Sequence, residues 1–524
     1  MALLRAFATV GSYTLLSRST GFARDILTAA YLGAGAAADA FLVAFQFPNL
    51  FRRLFAEGAF SSGFVPIYAR LLQRKGVDEA RAFADAAYSL LAIVLVIFCL
   101  IMMLAMPWVL LLIAPGFKEI PGQIDRATEL ARIAFPYLLF ISLVSLQAGV
   151  LNAAGKFASA AAVPVFLNLS LISFLLGAVF FDGDVARALA WGVPAAGLIQ
   201  FLWLKFHTGR AGVAIAFRRP QLTPEVRDLL GRMLPVAFGA GIYQLNLVIN
   251  NILATVTAVG AVSWLYYADR VNQLPLGVVG VAIGVALVPL LTRQIEAGNA
   301  EAALANQNRA IEVCLLLTLP AAVGIGILAE PITATLFQRG AFQAKDRDAV
   351  SAALMAFSSG LPAYVLNKAL TPGFFARHDT STPVKISAAA LVSNVLLSLA
   401  LIGPLGHVGI AVATSVSAWI NVAALAFVLW RRGQLKADAR LLARTPRLVA
   451  AAAVMAAALA GGLTAIVAQF GPVFTEPGMR EGLRAACLAA LVVGGSVVYM
   501  VAAIGLRAAE RSDLAALRRN PPAA

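Results

Sequence analysis

Eleven ionisable side chains stand inside stretches of sequence that are otherwise apolar: Arg18, Arg24, Asp25, Asp39, Arg52, Arg53, Glu57, Asp269, Arg270, Glu312 and Lys368. An Arg, Lys or Asp at the centre of a bilayer costs roughly 2.5–3.5 kcal/mol on insertion scales, so this many could not face hydrocarbon together. They either snorkel to the interface from helix ends, which fits Glu312 and Arg18, or line a watery cavity. For the first two stretches the cavity is the expectation. Ser17 and Arg24 are seven apart, as are Arg18 and Asp25, which puts each pair on one helix face two turns apart. Arg53 and Glu57, four apart, suit an intrahelical pair, while Arg52 points off that face. Bases outnumber acids there, and Asp269-Arg270 adds a further cation from the other half of the chain. Such a cavity suits an anion, and the planar guanidinium fork fits phosphate in particular. Small cationic drugs would be repelled.

Other chemistries find little support. No Walker-type glycine loop occurs, so ATP hydrolysis is not the energy source. No acid/base, nucleophile or metal-ligand set has a convincing spacing, and the chain is not expected to be an enzyme. Cys99, Cys314 and Cys487 fall inside apolar runs as small packing residues. His207, His378 and His407 are dispersed, which speaks against a zinc or haem site. No metal ligand is assigned and no cofactor is expected.

The elements that must position these charges are membrane spans. Of 524 residues, 60% are hydrophobic and 13% charged, with a mean hydropathy of +0.84, where a soluble domain carries roughly 25% charged residues. Apolar runs long enough to cross a bilayer at 1.5 Å rise per residue recur throughout. They fall near 6–33, 37–69, 86–114, 130–154, 160–181, 187–204, 233–256, 262–292, 310–337, 349–375, 386–404, 406–430, 448–469 and 485–506, about fourteen in all. The runs are continuous rather than alternating, which excludes a β-barrel. Ser17, Arg18, Ser19, Thr20, Arg24 and Asp25 interrupt what would be the apolar core of a signal peptide, so the first run is expected to be a retained helix.

The net charge of +15 sits in alternate loops. Arg70, Arg74, Lys75 and Arg81, then Lys156, then Lys205 to Arg232, then Arg431 to Arg447 are basic, whereas 33–37, 256–261 and 403–407 hold no Lys or Arg and 181–187 only Arg187. The positive-inside rule then places both termini in the cytoplasm and leaves no patch for nucleic acid.

The polar stretch 207–232 divides six spans from eight. Phe64-Val65-Pro66-Ile67 echoes Leu287-Val288-Pro289-Leu290, and Ala162-Val163-Pro164-Val165 echoes Ser381-Thr382-Pro383-Val384. We expect an all-α integral membrane protein in which 1–206 is a six-helix lobe, 207–232 a cytoplasmic linker, 233–431 a second six-helix lobe, and 432–524 two additional spans with a cytoplasmic tail. Parallel repeats of this kind bind substrate at their interface. Spans 13 and 14, rich in Ala, Val and Gly, are expected to bury no charge and to suit a lipid tail.

Three segments carry a resemblance. Ser17-Arg18-Ser19-Thr20-Gly21-Phe22-Ala23-Arg24-Asp25, Asp39-Ala40-Phe41 and Phe47-Pro48-Asn49-Leu50-Phe51-Arg52-Arg53-Leu54-Phe55-Ala56-Glu57-Gly58-Ala59-Phe60 closely resemble the MurJ (MviN) family of lipid II flippases. Phe64-Val65-Pro66, Tyr266-Tyr267-Ala268-Asp269-Arg270 and the loop Arg377 to Lys385 continue the likeness over essentially the whole chain. The resemblance implies the multidrug/oligosaccharidyl-lipid/polysaccharide exporter superfamily, with two lobes in a V that opens alternately to either side. It implies transport of lipid II, the lipid-linked peptidoglycan precursor, across the bacterial plasma membrane, with the diphosphate and sugar-peptide head in the basic cavity and the polyprenyl tail along the last two helices. Arg18, Arg24, Arg52, Arg53 and Arg270 match cavity positions, and Asp39 and Glu57 match residues of gating; Ser17 and Asp25 are expected to join the arginines in binding substrate, and Asp269 to act as a gating or cavity acid. Gln273 departs from relatives that carry an acid there, which puts carboxylate-dependent ion coupling at this position in doubt. Membrane potential or a monovalent cation stands as the energy source, and membrane lipids and the cell-wall synthesis machinery as the partners.

Competing readings are a flippase for another polyprenyl-diphosphate-linked glycan, which would share the diphosphate, and a drug/cation antiporter, which would need acids where this chain has arginines. A multi-span glycosyltransferase would need a sizeable outward loop with catalytic acids, and the outward loops are short.

Overall fold

The computed structural model describes residues 2–52, 61–475 and 481–510, and every regular element among them is helical. In chain order these are α1 (Ala2–Leu32), α2 (Ala36–Phe51), α3 (Ser61–Lys75), α4 (Val77–Ile113), a short 3-10 helix (Pro115–Glu119), α5 (Gln123–Ala134), α6 (Tyr137–Ala153), α7 (Phe157–Ala161), α8 (Val163–Phe180), α9 (Val185–Arg210) and α10 (Pro224–Thr255). There follow α11 (Ala261–Glu296), α12 (Ala300–Ile327), α13 (Ala329–Phe337), α14 (Ala344–Phe375), α15 (Ser381–Leu405), α16 (His407–Arg431), α17 (Ala439–Phe470) and α18 (Glu481–Gly505).

Among the described residues ten segments are long and apolar enough to cross a membrane: α4, α5 with α6, α7 with α8, α9, α12 and α14 to α18. The other four expected spans fall on α1, on α2 with α3, on α10 and on α11. With 31 residues, α1 is long enough, but Arg18, Arg24 and Asp25 lie within it. Large apolar side chains such as Leu104, Trp108, Leu112, Phe180 and Phe181 are 70–81% exposed, as they must be when the solvent is lipid. The chain is a multi-pass membrane protein.

Several boundaries differ from the sequence expectation for local reasons. The run 130–154 is broken at Phe135-Pro136, since proline removes a donor and clashes with the preceding turn. The run 310–337 breaks at Leu328 into α12 and α13. Polar caps start helices outside the apolar runs: Asp184 accepts Ala186 N–H for α9, Thr223 accepts Val226 N–H ahead of Pro224 for α10, and Asp438 accepts Leu441 N–H for α17. Gly33 ends α1 at φ +72, in the left-handed region, and a Cβ there would stand 2.8 Å from the Ala341 carbonyl.

Contacts divide the chain into two compact units, Met1–Ser263 with Gly340–Phe342 and Trp264–Arg339 with Gln343–Ala524. In the first, Phe64, Tyr68, Phe83, Leu146 and Leu229 bring α3, α4, α6 and the start of α10 into one core. The non-helical segment 213–222 is tied to α4, where buried Asp85 accepts the Ala216 N–H at 2.8 Å and pairs with Arg218 at 3.0 Å, and Ser89 accepts the Arg218 N–H. In the second unit Cys314, Leu366, Phe374 and Leu425 join α12, α14 and α16. Leu316, Leu448, Met455, Leu491 and Tyr499 pack the α17–α18 hairpin against α12.

Candidate functional site

One face of α1 carries Ser17, Thr20, Gly21 and Arg24, spaced i, i+3, i+4 and i+7. All four meet a single residue of α8, Asn168. Its Nδ2 donates to the Ser17 carbonyl at 2.9 Å and to the Thr20 hydroxyl at 3.3 Å, while its Oδ1 accepts from Arg24 Nη1 at 3.1 Å. A Cβ at Gly21 would come within 3.2 Å of that amide, so glycine permits the approach. The Arg24 guanidinium is 5% exposed and also donates from Nε and Nη2 to Asp25 Oδ1, at 3.1 and 2.6 Å. The Phe45 ring of α2 lies 5.8 Å from it. A carboxylate and a neutral amide thus compensate the desolvation of the buried guanidinium.

The remaining expected positions divide between the two units. In the first, Arg18 is exposed, and Asp25, expected to share a face with it, turns inward to Arg24. Arg52 is half-buried at the end of α2, donating to Asn49 Oδ1 at 3.1 Å. Asp39 is buried and caps α11: Oδ2 accepts Gly260 N–H at 2.6 Å, and Oδ1 accepts the Ser263 N–H and hydroxyl at 2.9 and 2.5 Å. A carboxylate is favoured there by the helix N-terminus. Arg53 and Glu57 lie outside the described residues. In the second unit Arg270 is half-buried, donates to the Tyr266 hydroxyl at 3.0 Å and stands 5.0 Å from that ring. Asp269 accepts from Gln273 on the next turn. Lys368 is exposed. Among the described residues no group of three His, Cys, Asp or Glu could hold a metal.

Two charged nodes escaped the sequence reading. Glu312, taken there as an interfacial charge, is 5% exposed and accepts from Arg309, Arg440 and Arg444, while Arg309 also reaches Asp438 and Arg444 also reaches Glu510. At the other end of the hairpin, Arg347 of α14 donates to the Thr475 carbonyl at 3.0 Å and pairs with Asp348, and Arg484 donates to the Val473 carbonyl at 2.8 Å. α17 and α18 begin ahead of the expected spans 448–469 and 485–506, and the added N-terminal turns bury Arg444 and Arg484, charges that the spans themselves do not hold. The i,i+3 spacing of Arg309 and Glu312 was the available clue. In the loop before α15, hydrogen bonds from Arg432 and from Thr382 hold the Asp379 carboxyl below the usual carboxylate range.

Residues 28–479 match the family model described as lipid II flippase MurJ. The chain belongs to the lipid II flippase MurJ family. It is 44% identical, over 99% of its own length and 96% of the relative's, to a probable lipid II flippase MurJ of Rhizobium meliloti (strain 1021). To a lipid II flippase MurJ of Burkholderia cenocepacia it is 37% identical over 93% and 95% of the two chains. The family is named for transport rather than catalysis. Its fold is shared with a solved lipid II flippase MurJ in an inward closed conformation, at a TM-score of 0.77 and 23% identity over 95% of this chain and 98% of that one. A multidrug resistance MATE family transporter of the MOP superfamily shares it at 0.66 and 17%, over 80% and 94%.

Proposed function

We propose that this protein carries lipid II from the inner to the outer leaflet of a bacterial plasma membrane by alternating access, its head-group diphosphate gripped by Arg24 and Arg52 together with Arg270. Ser17, Arg18, Asp25, Arg53 and Asp269 complete the polar surroundings of the head group, and Asp39 and Glu57 act in gating. Membership of the family supports the cargo. The observation that carries the mechanism is the buried, doubly anchored guanidinium of Arg24, a fork suited to phosphate oxygens. A diphosphate and a sugar-peptide head cannot cross hydrocarbon unaided, whereas a polyprenyl tail never needs to leave it. Membrane potential is the proposed energy source, supplying about 2.3 kcal/mol per charge per 100 mV.

Depletion of the protein is expected to trap lipid II on the cytoplasmic face. Normal lipid II export with accumulation of another glycan carrier would reject the assignment. Both termini are proposed to be cytoplasmic, on the loop charges. A membrane-impermeant thiol reagent should then modify a cysteine placed at Gly471 and spare one at Gly433; the reverse pattern would sink this orientation.

A further inference from the structure

We infer that Asn168 is a positioning residue, which holds the Arg24 guanidinium in the orientation in which it meets the substrate's diphosphate. This rests on the reading of Arg24 as a diphosphate ligand. Both bonds from Arg24 to Asp25 converge on one oxygen, Oδ1. Two donors on one acceptor act as a pivot for the fork. The bond from Nη1 to Asn168 Oδ1 supplies a fixed point away from that pivot, from a different helix and from the opposite edge of the guanidinium.

Asn168 is itself fixed. It is 7% exposed, and donation from Nδ2 to the Ser17 carbonyl and the Thr20 hydroxyl determines which end of the amide faces Arg24. The segment Ser17 to Arg24 therefore presents a carbonyl, a hydroxyl, a missing side chain and a guanidinium along one face, and each of the four fits the same amide. The chemistry of the amide matters as well. An acceptor is required, but a second carboxylate beside Asp25 would cancel the charge that attracts an anion. Asparagine accepts the bond and adds no charge. Arginine has many rotamers to lose, so a fork ordered before the substrate arrives loses less on binding.

The alternative is that Asn168 only clips α8 to α1. A double-substitution cycle on the full-length purified protein separates the two, with the dissociation constant for labelled lipid II as the readout. Asn168→Leu is expected to weaken binding roughly tenfold, the equivalent of one charge-assisted contact. Asn168→Asp is expected to weaken it further, and Gly21→Ala, which displaces the amide without removing it, roughly threefold. In an Arg24→Ala background the Leu substitution should cause no further loss. Where the Leu variant fails to accumulate, Asn168→Ser and Gly21→Ala carry the same comparison. Equal losses in both backgrounds would overturn the positioning role while leaving Arg24 as a ligand. An Arg24→Ala protein that binds lipid II like the unsubstituted one would overturn the underlying reading and this inference with it.

Discussion

Two buried charge clusters, one in each unit, differ in what their ion pairs join. In the first, Arg24 and Asp25 are neighbours on one helix, so their ion pair is not itself a joint, and it is the bond from Arg24 to the neutral Asn168 that reaches α8. In the second, Glu312 on α12 receives Arg309 from its own helix and Arg440 and Arg444 from α17, and Arg444 reaches on to Glu510 beyond α18. A node that ties three segments offsets the desolvation of its charges by fastening the hairpin to the bundle. An ion pair within one helix does not by itself fasten a second charged element, yet it carries the same kind of desolvation cost. A buried ion pair that is not itself the joint between elements is the better candidate for function.

The largest expected effect is therefore on folding in the second unit. Glu312→Ala removes the buried acid that Arg309, Arg440 and Arg444 share, at a cost of about 3–5 kcal/mol. The amount of inserted protein should fall several-fold while export per remaining molecule holds, and adding Arg444→Leu should recover part of the abundance. If abundance held and export fell, the second unit's node would be functional and the contrast would be lost.

The smallest expected effect lies in water, at Asp379. Its carboxyl is held below the usual range chiefly by the hydrogen bond from Arg432, with Thr382 adding to it. A depressed folded value means that the stabilisation is present above the unfolded value, about 3.9, and is lost as pH falls toward the folded one. Thermal unfolding of the purified protein should show destabilisation below about pH 4, and Asp379→Asn should flatten that slope while starting from a lower stability at neutral pH. An unchanged slope in the variant would show that this pair fastens nothing.

Apolar length made the helical class legible, and the family motif made Arg24 legible. Asn168 was hidden because a lone asparagine in an apolar run has no spacing relation to Ser17 or Arg24; only the packing of α8 on α1, with Gly21 between them, joins them. Glu312 looked interfacial because its partners Arg440 and Arg444 stood in a loop read as topological charge, and in fact they belong to α17. The break at Phe135-Pro136 was masked by the apolar residues on both sides of the proline.

The central claim is that the buried charge of Arg24 serves the substrate. Protein level and lipid II export measured together for Arg24→Ala, Arg24→Lys and Arg24→Leu with Asp25→Leu test it most directly. The account predicts near-normal abundance in the double variant, because an apolar pair replaces an ion pair that is not itself the joint between elements. It predicts lost export in the Ala and double variants, and partial export with Lys, which keeps the charge but not the fork. A double variant that restores export along with abundance would contradict it, since Arg24 would then be a structural charge whose only requirement is a partner.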